Sequence, residues 1–325
     1  MNEYDVAVIG GGAAGLSAAL VLTRARRRVI VIDGGQPRNA PAAHMQGFLS
    51  RDGMPPAELL AKGREEVASY GGHLVHDIVT ALSPREDGRY RVSMDNGDAV
   101  SARRVLVTTG LRDDVPDVRG VSERWGRDVL HCPYCHGHEV RDQQIGVLGG
   151  TSAAVQHALL IRQWSGDIVY FTHNGTLSPT ERERLLARTI GIVDGVVTRL
   201  VVEDDRLAGV ELEDGTVVPR DAVFVRPTFL PNDALLAELG CGSDENGWVI
   251  TDGTGRTSVP GVWVAGNAAN PRAQVITAAG EGSATAIAIN NDLVEEDVHL
   301  AVDDFRAGPP ARPEPSIHQL RGEPR

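Results

Sequence analysis

The densest chemistry in the chain lies in nine residues, His131-Cys132-Pro133-Tyr134-Cys135-His136-Gly137-His138-Glu139. Two cysteines at C-x-x-C spacing can close a small disulfide ring, and their sulfurs can be tuned to react as thiolates. His136, beside the second cysteine, can hold or donate a proton near neutral pH. The pair could instead bind zinc. A structural zinc site usually needs a second ligand pair, however, and the chain has no other C-x-x-C and no H-x₃-H, so no metal is expected. An inert buried pair is the remaining alternative, disfavoured by so many polar neighbours. His131 and His138 read as loop or hydrogen-bonding histidines, and Cys241, alone before Gly242, as a bystander. A second constellation is Gly10, Gly12 and Gly15, a G-x-G-x-x-G run. The first glycine permits a tight turn, the second lets a pyrophosphate approach the backbone, and the third lets helix and strand pack closely. The helix N-terminus supplies N–H groups and partial positive charge for phosphates. Asp33, at the end of the next apolar run, is placed to accept hydrogen bonds from an adenosine ribose. A glycine turn without a ligand is the alternative.

The elements that must hold these groups follow from periodicity. Residues 5–9 form a short apolar run before the glycines, residues 13–22 read as a helix, and the β-branched residues 29–32 as a buried parallel strand. The pattern returns with a strand at 145–148, a turn at Gly149-Gly150, a helix over 153–163 and a strand at 167–171. Two βαβ units more than 100 residues apart predict an α/β protein with two nucleotide-domain-like halves. Hairpin strands are expected over 92–110 and again over 196–225, where Asp214-Gly215 signals a turn. A buried strand is expected over 258–266 and a small-residue helix over 278–293. The proline-rich residues 306–325 are expected to be a disordered tail.

Composition excludes several classes of protein. Of 325 residues 42% are hydrophobic, enough for a sizeable core. A net charge of −12 would repel a phosphate backbone, so no nucleic acid partner is expected. No apolar run approaches the ~18 residues of a membrane span, which argues against a membrane protein. The polar, acidic N-terminus shows no secretory signal, and three cysteines cannot make a disulfide framework. A cytoplasmic setting is expected.

In the order of its parts the chain resembles the low-molecular-weight thioredoxin reductase family, from Tyr4 to about Val294. The glycine loop comes first, then Val107-Thr108-Thr109-Gly110, then the C-x-x-C ahead of the second βαβ unit. Val264-Ala265-Gly266-Asn267 and Ala273-Gln274-Val275-Ile276-Thr277 close the series. The resemblance implies two Rossmann-like, three-layer domains that bind FAD, in a homodimer. It implies an FAD-binding domain over 1–115 and 246–305, interrupted at 116–245 by a central domain that carries the cysteines. Around FAD it implies Gly10, Gly12, Ala13, Ala14 and Gly15, then Asp33, Gly34 and Gln36, then Gly110. Gly266 and Asn267 would meet the ribityl-phosphate region, and Gln274 with Val275 the flavin ring. The family usually has Asp where this chain has Asn267; an amide can still hydrogen-bond a ribityl hydroxyl.

By the same resemblance Cys135 would face the flavin and Cys132 exchange with substrate. The family's acid after the second cysteine is here His136. The string C-P-Y-C-H-G followed by Glu139 is similar to that of the FAD-dependent dithiol oxidases that close the disulfides of gliotoxin, holomycin and romidepsin. Their chemistry implies a small dithiol substrate and dioxygen as acceptor. In the reductases the second glycine loop binds NADPH. Here Thr151 stands at the second fingerprint glycine, where a β-branched side chain would clash with a pyrophosphate. Thr172-His173-Asn174 replaces the family's His-Arg-Arg cluster. Arg182 and Arg184 read as part of an exposed helix with Glu181 and Glu183. The expectation is loss of NADPH use, with a divergent but working nicotinamide site as the alternative. A thioredoxin reductase and a non-enzymatic FAD-containing redox sensor are the rival functions.

Overall fold

The computed structural model describes residues 1–307. The first half opens with β1 (Glu3–Ile9), α1 (Ala13–Arg24) and β2 (Val29–Asp33). Next come α2 (Pro56–Ser69), β3 (His73–His76) and the meander β4 (Val79–Pro84), β5 (Tyr90–Met94), β6 (Ala99–Val107). The chain then leaves along β7 (Leu111–Asp114). The central half holds α3 (Val121–Arg124), β8 (Val129–Leu130), α4 (Pro133–His136), β9 (Ile145–Leu148), α5 (Ser152–Ile161) and β10 (Ile168–Phe171). It continues through α6 (Pro179–Ala187), β11 (Gly191–Val193), β12 (Val197–Glu203), β13 (Arg206–Leu212), β14 (Val217–Pro219) and β15 (Ala222–Phe224). The chain returns along β16 (Thr228–Pro231) to α7 (Ala234–Glu238), β17 (Val262–Val264) and α8 (Val275–Ala307).

The first sheet runs β3-β2-β1-β6-β5-β4, and β17 joins it beside β6. The last strand of the chain thus completes the sheet begun by the first. Alternation along the parallel strands splits their side chains between two cores. Val6, Val8, Leu106 and Trp263 pack under α1 and α8, while Ala7, Ile9, Val105, Val107, Val262 and Val264 face the meander and α7. The central sheet, β11-β10-β9-β15-β8, is parallel throughout. Ile145 and Val147 pack with Ile161 of α5 and Leu185 of α6 on one face, and Leu148 and Val223 pack with Leu200 and Leu212 of β12–β13 on the other. That makes three layers. The two crossings, β7 and β16, pair with each other antiparallel. Their ends are laced where Thr109 donates to the Asn232 carbonyl (2.6 Å) and the Asn232 amide to the Thr109 carbonyl (2.9 Å).

Some boundaries differ from the periodicity. The strand expected over 258–266 is only Val262–Val264, because Gly261 turns at φ +80° and Gly266 at φ +71°. The last helix runs Val275–Ala307, well beyond 278–293. Its burial ends at Leu293, but ion pairs of Asp297 with Arg27 and Arg103, and of Glu296 with Arg104, fasten the following turn. Arg306 and Ala307, assigned above to the tail, are helical; residues 308–325 lie outside the described residues.

Candidate active site

The turn after β1 is shaped by close approach. Gly10 has φ +104°, and a Cβ there would lie 2.5 Å from the Thr108 carbonyl oxygen; one on Gly15 would lie 1.9 Å from the Gly10 oxygen. Thr108 secures the turn by donating to the Ile9 and Gly10 carbonyls. Gly12, the N-cap of α1, faces open space instead. Asp33 accepts the Gly11 N–H at 3.0 Å through one oxygen, and its other oxygen has no protein partner among the described residues. An open, Cβ-free cradle at the start of a 12-residue helix, with a free carboxylate oxygen beside it, fits a pyrophosphate and its ribose. Ala13 and Ala14 form the first turn of that helix.

Several residues around this cradle were not expected from the sequence. Gly11 lies so near Asp33 that a Cβ would come within 2.8 Å of the carboxyl carbon. Gly282 of α8 lets that helix cross α1 at contact distance, since its Cβ would lie 2.0 Å from the Ala14 oxygen. Glu281 accepts the Gly266 N–H (3.0 Å) and the Asn270 amide (2.7 Å). Asn267 donates its side-chain N–H groups to the Asn270 and Ala273 carbonyls, at 2.9 and 3.0 Å. An aspartate could not make those two bonds, so the amide closes this loop and still offers its oxygen. Gln274 precedes α8, which starts at Val275, and its Oε1 lies by Gly47. Gly110 takes φ +71°, and its carbonyl accepts the Asn232 N–H at 3.0 Å. Gly34 packs against Ile78, while Gln36 is exposed.

Cys132 and Cys135 form a disulfide with a Cα–Cα distance of 5.2 Å. Pro133 starts the single helical turn between them, and the Cys135 and His136 N–H groups both point to the Cys132 carbonyl at 3.1 Å. Gly137 must be glycine here, since a Cβ would lie 2.8 Å from the Trp164 ring. Tyr134 is 64% exposed and meets Trp164 edge-on. His136 is half-buried, and its Nδ1 has no partner. Burial lowers its pKa below 6.5, with Glu139 partly opposing, so the imidazole is neutral at pH 7 and able to take a proton.

His131 is no ordinary loop histidine. Burial first, and the Arg38 guanidinium second, push it down to about 4. His157 of α5, which the sequence reading passed over, is 5% exposed, lacks a partner at Nδ1 and is directed at the His131 carbonyl. Burial pushes it down to about 4 as well. An apolar helix pattern carrying one histidine was the only signal. His138 is exposed, and Cys241 is half-buried beside Thr257. Among the described residues no cluster of three or more His, Cys, Asp or Glu could hold a metal ion.

The second glycine turn follows another path. Its positive φ, +104°, falls on Gly150 instead of Gly149. Thr151 caps α5, its hydroxyl accepting the Ala154 N–H at 3.3 Å. Gly175, in the loop after β10, sits so close that its Cβ would be 2.8 Å from the Gly150 Cα. The cavity of about 330 Å³ that remains is lined by Thr151, Tyr170, Thr172, Asn174 and Glu181, with no lysine or arginine. Thr172 accepts the Gly195 N–H and His173 the Val197 N–H, while Arg182 pairs with Asp194 and Arg184 with Gln156.

Comparisons with known proteins bear on the family and the fold. The sequence profile of the pyridine nucleotide-disulphide oxidoreductase family matches residues 4–282. The chain is similar to the crystal structure of HlmI, with 56% identity, a TM-score of 0.91, and coverage of 93% of this chain and 96% of that one. The crystal structure of putative thioredoxin reductase TrxB from Bacillus anthracis superposes with a TM-score of 0.87 at 33% identity, covering 90% and 99%. Thioredoxin reductase sirT of Leptosphaeria maculans is 32% identical, over 91% of this chain and 96% of its own.

Proposed function

The chain belongs to the pyridine nucleotide-disulphide oxidoreductase family, as a thioredoxin reductase-like FAD oxidoreductase, and within it we propose a dithiol oxidase that closes a disulfide in a small natural-product dithiol. The observation that carries this reading is the contrast at the two turns. The first cradle is open; at the second, Thr151 stands at the helix cap, Gly175 lies against Gly150 and the remaining cavity has no lysine or arginine; and a complete cysteine pair with a neutral imidazole lies between them in the chain. On this reading electrons enter through the cysteines instead of a nicotinamide.

One substrate thiolate attacks Cys132 and displaces Cys135 as a thiolate. The second thiol of the same substrate attacks the substrate sulfur of the resulting mixed disulfide and expels Cys132 as a thiolate; the product leaves as a cyclic disulfide, and two electrons stay on the enzyme pair. His136 takes up the proton released at the cysteines and later hands it to solvent. Gly10–Gly15, Asp33 and the 266–275 segment would hold FAD, which would supply two-electron acceptance from the dithiol and passage to an external acceptor. With dioxygen as that acceptor the balance is dithiol plus O₂ giving disulfide plus hydrogen peroxide. The same proposal includes a cytoplasmic homodimer.

A thioredoxin reductase is the second reading, favoured by the names of relatives at 32–33% identity. Anaerobic mixing of the yellow protein with NADPH, then with a dithiol, separates the two. The oxidase reading expects bleaching only with the dithiol; millisecond bleaching by NADPH transfers the conclusion to the reductase.

A further inference from the structure

Arg38 lies on the loop after β2, in the half that carries the open glycine turn, but its side chain reaches out of that half. Nε and Nη2 donate to the two oxygens of Asp113 on β7, at 2.8 and 2.6 Å. The guanidinium lies over Phe229 of β16, 5.1 Å from the ring centroid. Nη2 also comes within 3.5 Å of His131 Nε2. His131 in turn stands edge-on to Phe229 at 5.6 Å and lies 5.9 Å from Trp125. Farther along the same loop, Pro41 touches the central half at Gly126, where an added Cβ would come within 2.9 Å.

One side chain therefore joins the loop after β2, both crossing strands and the residue just before Cys132. The Asp113 side chain is 8% exposed, so this ion pair is largely desolvated and depends on its bidentate geometry. The contact with His131 also requires a neutral imidazole, because an imidazolium would repel the guanidinium. Burial and Arg38 itself keep it neutral at pH 7.

We propose that Arg38 is a positioning residue: by gripping Asp113, Phe229 and His131 it holds the Cys132–Cys135 segment in one working orientation against the FAD-binding half. The proposal rests on the dithiol-oxidase reading. An enzyme that draws electrons from a nucleotide must bring two sites in turn to its flavin, whereas one that draws them from a dithiol through a fixed cysteine pair needs a single orientation. Arg38 touches neither sulfur, so it acts on electron transfer only through placement.

The test separates two half-reactions in the FAD-loaded protein, mixed anaerobically with dithiothreitol. Opening of Cys132–Cys135 is followed by alkylation and mass, and electron transfer by flavin bleaching. In the wild type each electron pair passed to the flavin re-forms the disulfide, so alkylatable thiols do not build up ahead of bleaching. In Arg38→Met the disulfide opens as in the wild type but bleaching slows at least tenfold, so thiols accumulate while the flavin is still oxidised. Unchanged bleaching overturns the proposal, as does slowed bleaching with no thiols ahead of it. A tether provides the second check. Pro41→Cys and Gly126→Cys, bridged by dibromobimane while Cys132–Cys135 is oxidised and in a Cys241→Ser background, restores bleaching to Arg38→Met. Failure of the bridged protein to recover overturns a positioning role. Failure of the wild type itself to bleach with a dithiol sinks the oxidase reading, a result distinct from any change confined to Arg38→Met.

Discussion

Gly10 and Gly149 occupy matching places: each follows the first strand of a βαβ unit, and each donates its N–H to the end of the next strand, at Ile32 and Phe171, both at 2.8 Å. From there the two turns diverge. In the first, the left-handed residue is Gly10, the helix cap is a bare glycine, and the next strand ends in a carboxylate with an oxygen to spare. In the second, the left-handed residue is Gly150, the cap is Thr151, and the polar groups after β10 are spent on the protein's own backbone. The same supersecondary unit thus leaves an open, Cβ-free turn in one half and a threonine-capped turn in the other, where helix α5 carries the buried His157. A βαβ unit is defined by packing between strand and helix, while ligand binding depends on a few unfilled positions at its turn, so the latter can be lost without disturbing the former.

The comparison breaks most sharply at Gly12. A Cβ there meets no protein atom within 4 Å, so a side chain should be accepted by the fold while it takes up the space a pyrophosphate needs. Gly12→Val is expected to purify colourless and inactive, whereas Thr151→Val should keep full flavin content and turnover and lose only the cap, about 1 kcal/mol. The ratio of 450 nm to 280 nm absorbance decides. Stoichiometric flavin in Gly12→Val would remove the first turn from the site.

Next in size are the cysteines, which link the two halves. Cys132→Ser and Cys135→Ser should each retain FAD and lose turnover. If Cys135 lies toward the flavin, Cys132→Ser leaves its thiolate against the oxidised ring and gains a long-wavelength absorbance band, and Cys135→Ser lacks that band but still traps substrate at Cys132. The opposite pattern exchanges the two roles, and full activity in either variant rejects the relay.

His136→Ala should be milder, slowing turnover by about 10²–10⁴. His136 stands in its neutral base form at pH 7 because burial lowers its pKa below 6.5. Activity that depends on it is therefore complete above pH 6.5 and falls away on the acid side. The acid limb of the kcat profile should lie below 6.5 in the wild type and disappear in His136→Ala; an unchanged limb would assign the proton to another group.

How far the sequence could reach follows from the same contrast. Local patterns were enough for the turns, the strands 145–148 and 29–32 and the helix after Gly12, because each is encoded by adjacent residues. The cysteine pair and Asp33 were legible for the same reason. What stayed hidden depends on contacts distant in sequence. Gly282 looks like any small residue of a helix until it meets Ala14, Arg38 like any surface arginine until it meets Asp113 and His131, and Gly175 like a loop glycine until it lies on Gly150. In sequence Thr151 shows only its shape; that it is a working helix cap emerges from the backbone.

The smallest effect concerns stability, and it tests whether α5 has become part of the cysteine scaffold. His157 is buried against Phe224 with its ring directed at the His131 carbonyl, and its pKa is pushed down to about 4. An unfolded chain would protonate it near 6.5. The neutral form's contribution to stability is therefore complete above pH 6.5. Between 6.5 and 4 the unfolded state binds a proton that the folded state refuses, and stability falls by about 1.4 kcal/mol per pH unit from this group. Below 4 both states are protonated and the loss levels off. Replacing His157 by phenylalanine removes the titrating group and the unpartnered Nδ1 while keeping an aromatic ring beside Phe224. Urea midpoints measured from pH 7.5 to 4.5 should decline less steeply in His157→Phe than in the wild type. Curves that run parallel would mean that His157 takes up its proton in the folded protein as readily as in the unfolded one. It would then not be the buried neutral support that distinguishes the second βαβ unit from the first.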